Sequence, residues 1–246
     1  NAMNTAKSID HQILNMKSGK LFSYQDIPEY SGHGDAVVKA LSRKTKNAEV
    51  VRLKKGLYYK PEKGSFGNMS PKDSDIIKYF TLEKKKVVGY VTGLALYHRW
   101  GLTTQVPFEV TIATSKNKRE KVDVSGLRIL TIPARTKVTK NNTAVLQFLD
   151  VLKSVDQIPD TTSEEVIKKL ASKISAYKTD EIHEMEKLAI DAYTPRTKAL
   201  LGAFLETHLN YYSESIHKAL NPTSTYKIFI SDATFKDQER WNICPK

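Results

Sequence analysis

The stretch from Asp35 to Lys60, DAVVKALSRKTKNAEVVRLKKGLYYK, constrains the chain most. It carries the cations Lys39, Arg43, Lys44, Lys46, Arg52, Lys54, Lys55 and Lys60 against the acids Asp35 and Glu49. In its first half Val37, Ala40 and Leu41 fall on one side of a helix. Lys39, Ser42, Arg43 and Lys46 follow the i, i+3, i+4, i+7 spacing of the other side. In its second half Val51 and Leu53 alternate with Arg52 and Lys54, the period of a half-buried strand. Lys54-Lys55-Gly56 turns the chain. Leu57 and Tyr59 then return facing inward, Tyr58 and Lys60 face outward, and Pro61 stops the strand. A basic helical face beside a basic hairpin tip predicts the recognition helix and wing of a winged helix-turn-helix.

The preceding residues supply the rest of such a unit. Ser8–Lys17 has Ile9, Ile13, Leu14 and Met16 near helical spacing, with Ser8 as cap and Gly19 as stop. Ser23-Tyr24-Gln25-Asp26 is a capping-box-like start for a second short helix. Tyr30-Ser31-Gly32-His33-Gly34 is expected to be a turn, with Asp35 capping a third helix over 35–45. The residues expected to face DNA are Ser31, His33, Lys39, Ser42, Arg43, Lys44, Lys46, Arg52, Lys54, Lys55 and Tyr58. Phosphate contacts fall to Lys44, Arg52, Lys54 and Lys55, and major-groove base contacts to Lys39, Ser42 and Arg43.

Charge supports a polyanionic partner. The formal charge is +12, and residues 1–64 hold 12 Lys/Arg against 6 Asp/Glu, residues 65–140 hold 14 against 6, and residues 141–246 hold 13 against 15. The excess therefore lies wholly in the first 140 residues. A single cysteine, Cys244, excludes an internal disulfide and a Cys-based zinc cluster. No apolar run is long enough to span a membrane, and the N-terminus lacks the apolar core of a signal peptide, so a cytoplasmic location is expected. Asn1-Ala2 ahead of Met3 looks like an expression remnant, so the chain is read from Met3.

Glu62–Pro71, EKGSFGNMSP, has the composition of a linker. Past it the sequence predicts a short helix from Pro71, a helix carrying Leu94, Leu96, Tyr97 and Trp100 capped by Thr92 and closed by Gly101, and strands over 108–114 and 122–132. Helices then follow over 143–154, 163–177, 180–192 and 195–212, with a tail strand at 226–230. The expected class is α+β: an N-terminal winged helix-turn-helix at 3–62, then a larger mixed α/β domain at 72–246 with a helical C-terminal half.

Catalytic signatures are weak. Gly32-His33-Gly34 is too short for a phosphate loop. His183-Glu184-Met185-Glu186-Lys187 starts like a zincin helix, but Lys187 stands where the second histidine must be. His98, beside Tyr97 and Trp100, reads as a packed imidazole. The carboxylates of 65–140 are spread, with no pair suited to divalent-metal phosphoryl chemistry. Lys84-Lys85-Lys86 and Lys116–Lys121 are candidates to extend a DNA-contacting surface. The expectation is therefore no catalytic residue, no metal and no cofactor. The alternatives are a nucleic-acid-processing enzyme with a winged-helix targeting domain, or a protein-interaction module.

Two segments resemble a known family. Arg52-Leu53-Lys54-Lys55-Gly56-Leu57-Tyr58-Tyr59-Lys60-Pro61 is similar to the wing of the AbiEi-type antitoxins of bacterial abortive-infection, or type IV toxin–antitoxin, systems. Tyr90-Val91-Thr92-Gly93-Leu94-Ala95-Leu96-Tyr97-His98-Arg99-Trp100-Gly101-Leu102, with Gln105-Val106-Pro107 after it, resembles the start of that family's second domain. The likeness covers about residues 8–135, with a fainter echo at Pro195–Glu206 and none after about 210. It implies a DNA-binding repressor and antitoxin that autoregulates its operon at promoter DNA and counters a nucleotidyltransferase-type toxin. Direct toxin contact, operator sequence and oligomeric state stay open.

Overall fold

The structure is a computed structural model that describes residues 2–65 and 67–245. Asn1 of the expected remnant and Phe66 of the expected linker lie outside the described residues. The chain is α+β and divides into two compact units, residues 1–82 with 122–127, and residues 83–121 with 128–246.

The first unit begins with α1 (Ala2–Asn15) and β1 (Leu21–Ser23), followed by a single 3-10 turn at Tyr24–Asp26. That turn opens with Asp26 Oδ2 accepting from the Ser23 backbone N–H at 2.7 Å, as the Ser-x-x-Asp spacing predicts. Next come α2 (Tyr30–Lys46), β2 (Val51–Lys54) and β3 (Leu57–Tyr59), with sheet order β1-β3-β2. Helix, strand, short helix, long helix and hairpin in this order are compatible with a winged helix. Ile9, Ile13, Phe22, Ile27, Val37, Leu41, Val50 and Tyr58 form the core between the helices and one face of the sheet.

The expected linker instead contains a short antiparallel pair, β4 (Glu62–Gly64) and β5 (Gly67–Met69). After it, α3 (Asp73–Thr81) packs against β1 and buries Ile76. Leu21, Leu57 and Tyr59 are buried as well, so both faces of the small sheet are covered. The sequence places α3 in the second domain, whereas the compact units divide after Leu82.

A two-residue pair, β6 (Leu82–Glu83) and β7 (Lys86–Val87), follows, turning through Lys84 and Lys85 at positive φ. The elements that follow are β8 (Gly89–Thr92), α4 (Gly93–Arg99), β9 (Val110–Thr114), β10 (Glu120–Val124), whose residues 122–124 are grouped with the first unit, and β11 (Leu127–Pro133). Sheet order is β10-β11-β9-β8, with β9 antiparallel to β8 and parallel to β11. The chain is then helical: α5 (Thr143–Lys153), α6 (Ser163–Ile174), α7 (Thr179–Ala192), α8 (Pro195–Leu209) and α9 (Glu214–Lys218). The sequence predicts α5 to α8 but not α9. Of these, α6 and α7 bury one face each, whereas α8 is buried on nearly every side over 199–206. α5 and α8 meet through Phe148 and Phe204, whose ring centroids lie 5.4 Å apart.

The tail closes with β12 (Tyr226–Ile228) paired in parallel to β13 (Ile243–Pro245). Trp241, fully buried, lies against Gly202 of α8, where a Cβ would sit 2.1 Å from the indole. Its Nε1 donates to Glu206 at 2.7 Å. Among the described residues no helix is long and apolar enough to cross a membrane.

Candidate nucleic-acid interface

The first unit holds α2 from three sides. Glu29, the residue ahead of α2, accepts from Ser8 Oγ at 2.6 Å and from Gln12 Nε2 at 2.7 Å, both on α1. These bonds, Ser8 foremost, hold the Glu29 carboxyl below the ordinary carboxylate range. Tyr24 stacks on Tyr30 at 5.4 Å and meets Tyr58 at 5.7 Å, so aromatic rings join the start of α2 to the hairpin. The hairpin turn needs glycine: Gly56 has φ +81°, and a Cβ there would lie 3.5 Å from the Tyr24 ring.

The expected turn at Tyr30–Gly34 is the first part of α2, and only His33 departs from helical geometry (φ −138°, ψ 48°). The backbone thus breaks at His33 and two helical stretches meet there: Glu29 precedes the first, and Asp35 stands at the start of the second, close to the expected start. The two glycines flank this break, where they relax the backbone, and Glu29 with its α1 partners adds a short helical stretch ahead of it. Ser31 and His33 are exposed before the kink, and Ser31 Oγ donates to the Pro28 carbonyl at 3.1 Å.

Beyond the kink Asp35, Val38, Lys39, Ser42 and Lys46 recur at three- and four-residue intervals, and all are exposed. Arg43 stands on the flank of this stripe, also exposed, with its guanidinium 3.7 Å from Asp10. Arg52 and Lys55 are exposed on the hairpin, and Lys54 is half-buried. Register shifts between Arg52 and Lys54, a bulge at Leu53 that increases the local twist of the hairpin.

Two residues of the expected set are corrected. Lys44 is 8% exposed and is engaged by Glu49 at 2.7 Å and Asp10 at 3.2 Å. Burial opposes its charge, but the bonds to Glu49 and Asp10 outweigh burial and raise its pKa. Lys44 thus joins α1, α2 and the following turn, and its ammonium is not available to a phosphate. Tyr58 is 4% exposed and faces inward, its hydroxyl 3.0 Å from that of Tyr24. Burial first, then the bond to Tyr24, pushes its phenol up to about 12. Strand alternation put Tyr58 outside because one sheet face was taken as solvated; α1 and α2 cover the Tyr58 face and α3 lies on the other.

Of the additional basic segments of the second unit, Lys84, Lys85 and Lys86 are exposed at a turn, and Lys116–Lys121 is partly paired. Lys116 pairs with Glu83 at 3.1 Å, Lys118 with Glu120 at 3.0 Å and Lys121 with Glu109 at 3.5 Å. His98, read as packed, is exposed on α4.

The buried carboxylates of the second unit are held by side-chain donors, Glu206 by the Trp241 indole and the Arg240 guanidinium and the others by hydroxyls. Asp150 accepts from Tyr90 at 3.0 Å, Thr92 at 2.7 Å and Tyr193 at 2.8 Å. Burial, reinforced by this carboxylate, raises both phenols well above the ordinary tyrosine value. Thr92 does precede α4 as expected, yet its hydroxyl goes to Asp150 rather than to the helix end. Glu186 accepts from Tyr211 at 3.0 Å and from Ser213. Satisfied in this way, these acids join elements of the fold. Among the described residues no group of three or more His, Cys, Asp or Glu is placed to hold a metal ion.

Sequence reasoning missed one member of the α2 face. Val38 is 41% exposed in the middle of the polar stripe. Helical spacing from Asp35 and Ser42 is the signal that finds it, once apolar residues are not assigned to the core by type alone.

The sequence model of a family of unknown function, DUF6088, matches residues 8–182. Among solved structures, the chain is similar to the crystal structure of the RV2827C protein from Mycobacterium tuberculosis, at 11% identity and a TM-score of 0.41 over 96% of this chain and 88% of that one. That likeness is too slight to carry an argument. No curated protein matches the chain.

Proposed function

The chain belongs to the DUF6088 family, whose function is unknown, and we propose that it is a double-stranded-DNA-binding transcriptional repressor acting as the antitoxin of a type IV toxin–antitoxin system. One observation carries the DNA-binding part. Lys39, Ser42 and Lys46 share an exposed face of α2, Arg43 flanks it, and exposed Arg52 and Lys55 lie on the hairpin of the same compact unit. A helix of this kind enters the major groove, and a hairpin tip beside it meets the phosphate backbone. Lys39 and Ser42 are assigned to base edges, with Arg43 joining them when its ion pair to Asp10 opens. Lys46, Arg52, Lys54 and Lys55 are assigned to phosphates.

The antitoxin part rests on the resemblance of Arg52–Pro61 and Tyr90–Pro107 to AbiEi-type antitoxins. In this proposal the protein works in the cytoplasm, binds promoter DNA of its own operon and counters a nucleotidyltransferase-type toxin.

Both parts have direct tests. Binding of the purified chain to the DNA upstream of its own gene is compared with binding to random DNA. Arg43→Ala is expected to relax sequence preference, and Lys55→Ala to weaken all duplexes alike and lower the salt slope by about one. No preference for the upstream DNA would favour a protein-interaction module instead. For the antitoxin role, a nucleotidyltransferase-like reading frame beside the gene is expressed with and without this chain. Toxicity relieved by the chain supports the role, and toxicity unchanged by it contradicts the role.

A further inference from the structure

We propose that Val38 reads the C5-methyl group of a thymine in the major groove. The inference rests on the DNA-binding role above and deepens it.

Val38 occupies the middle of the α2 stripe, with Asp35 one turn before it, Ser42 one turn after it and Lys39 beside it. It is 41% exposed, whereas Val37, Ala40 and Leu41 of the same helix are buried and supply the packing against α1 and the sheet. Val38 stands outside that buried set. A β-branched residue is a poorer helix former than alanine or lysine at an exposed position. Its side chain is also stiff, since one χ1 rotamer dominates for valine in a helix.

The surroundings make this patch accessible from outside. A helical side chain leans over the turn N-terminal to its own Cα. For Val38 that turn contains Gly34, which presents no side chain. The result is a small, rigid, apolar spot set among groups that form hydrogen bonds.

Chemistry narrows what can meet it. Phosphates offer no apolar partner, and Asp35 on the same stripe repels them, which disfavours a seat on the sugar–phosphate backbone. Of the base edges in the major groove, thymine alone presents a methyl group, while its O4 accepts hydrogen bonds from groups such as Lys39 or Ser42. Asp35 itself can accept from the N4 amino group of a cytosine. The N-terminal part of a recognition helix is the part that meets base edges, and Val38 lies in the first turns of the stretch that follows the kink at His33.

The test begins by enriching a random-sequence duplex library on the full-length chain. Each thymine of the enriched duplex is then replaced singly by deoxyuridine, which removes only the methyl group, and affinity is measured by fluorescence anisotropy. At one thymine the wild-type protein is expected to lose affinity about fourfold, the worth of one buried methyl-sized group. Val38→Ala is expected to bind the thymine duplex about fourfold more weakly and to be indifferent to uracil at that position. Wild-type affinity unaffected by uracil at every position would overturn the assignment while leaving DNA binding intact, as would a Val38→Ala protein that keeps the uracil penalty. If no duplex is enriched, the DNA-binding role itself falls, and this inference with it. Helical circular dichroism of Val38→Ala, expected to equal wild type, separates lost contact from lost fold.

Discussion

Replacing Lys44 by alanine separates a structural cation from a DNA-contacting one. The Lys44 ammonium is 2.7 Å from Glu49 and 3.2 Å from Asp10, and its side chain is 10% exposed while theirs are 47% and 44% exposed. Breaking a fully buried ion pair costs roughly 3–5 kcal/mol, because an uncompensated charge is left inside. Here the two carboxylates turn to water, so the loss is smaller, about 1–2 kcal/mol. Hydrogen exchange of the α1 and α2 amides in the full-length protein is the direct assay, and a loss of that size accelerates exchange by about 5–30-fold when exchange follows opening of the unit. The salt dependence of DNA binding should not change, since Lys44 neutralises no phosphate. The pH dependence has a definite sign. The raised pKa of Lys44 keeps its contribution fully present below the ordinary lysine value of 10.5, and lost only as pH rises through the folded value. The Glu49 carboxyl is held low, by Lys44 first and then Asn47, so its contribution is present above 4.5 and fades as pH falls. Unchanged exchange together with a salt slope reduced by about one would refute the structural role.

Other perturbations test the remaining contacts. Gly202→Ala places a methyl 2.1 Å from the Trp241 indole, so it should displace the tail and cost about 1–3 kcal/mol or more; a red-shifted Trp241 emission in a Trp100→Phe background reads this. Asp150→Ala leaves the hydroxyls of Tyr90, Thr92 and Tyr193 without their acceptor and should lower stability by about 2–4 kcal/mol, seen in the urea midpoint, with Asp150→Asn less harmful. Glu29 is held low by Ser8 first and also by Gln12, so its contribution is present above 4.5 and lost on acidification; Glu29→Gln should make the α1–α2 exchange rate less sensitive to pH below that value.

The parts legible in the sequence are those set by local periodicity. The outward stripe of Lys39, Ser42 and Lys46 follows from 3.6 residues per turn, and the exposed Arg52 from strand alternation. Helices α5 to α8 of the C-terminal half follow from apolar residues at helical spacing. What the sequence concealed depends on partners distant in the chain. Lys44 looks like any surface lysine until Asp10 of α1 comes to meet it. Tyr58 looks outward-facing until α1 and α2 on one side and α3 on the other enclose the sheet. Gly32 and Gly34 signal the break at His33, yet the helical stretch ahead of it depends on Glu29 and its bonds to Ser8 and Gln12. The pairing of β12 with β13 and the seat of Trp241 on Gly202 join segments with no common pattern.

The salt dependence of binding to duplex DNA tests the central claim most directly. Four phosphates neutralised by Lys46, Arg52, Lys54 and Lys55 predict a slope of log affinity against log salt of about −3 to −4 for one chain on the DNA upstream of its gene, with that DNA bound more tightly than random duplex at every salt concentration. A slope near zero, or equal affinity for both duplexes, would contradict a sequence-reading α2 and hairpin.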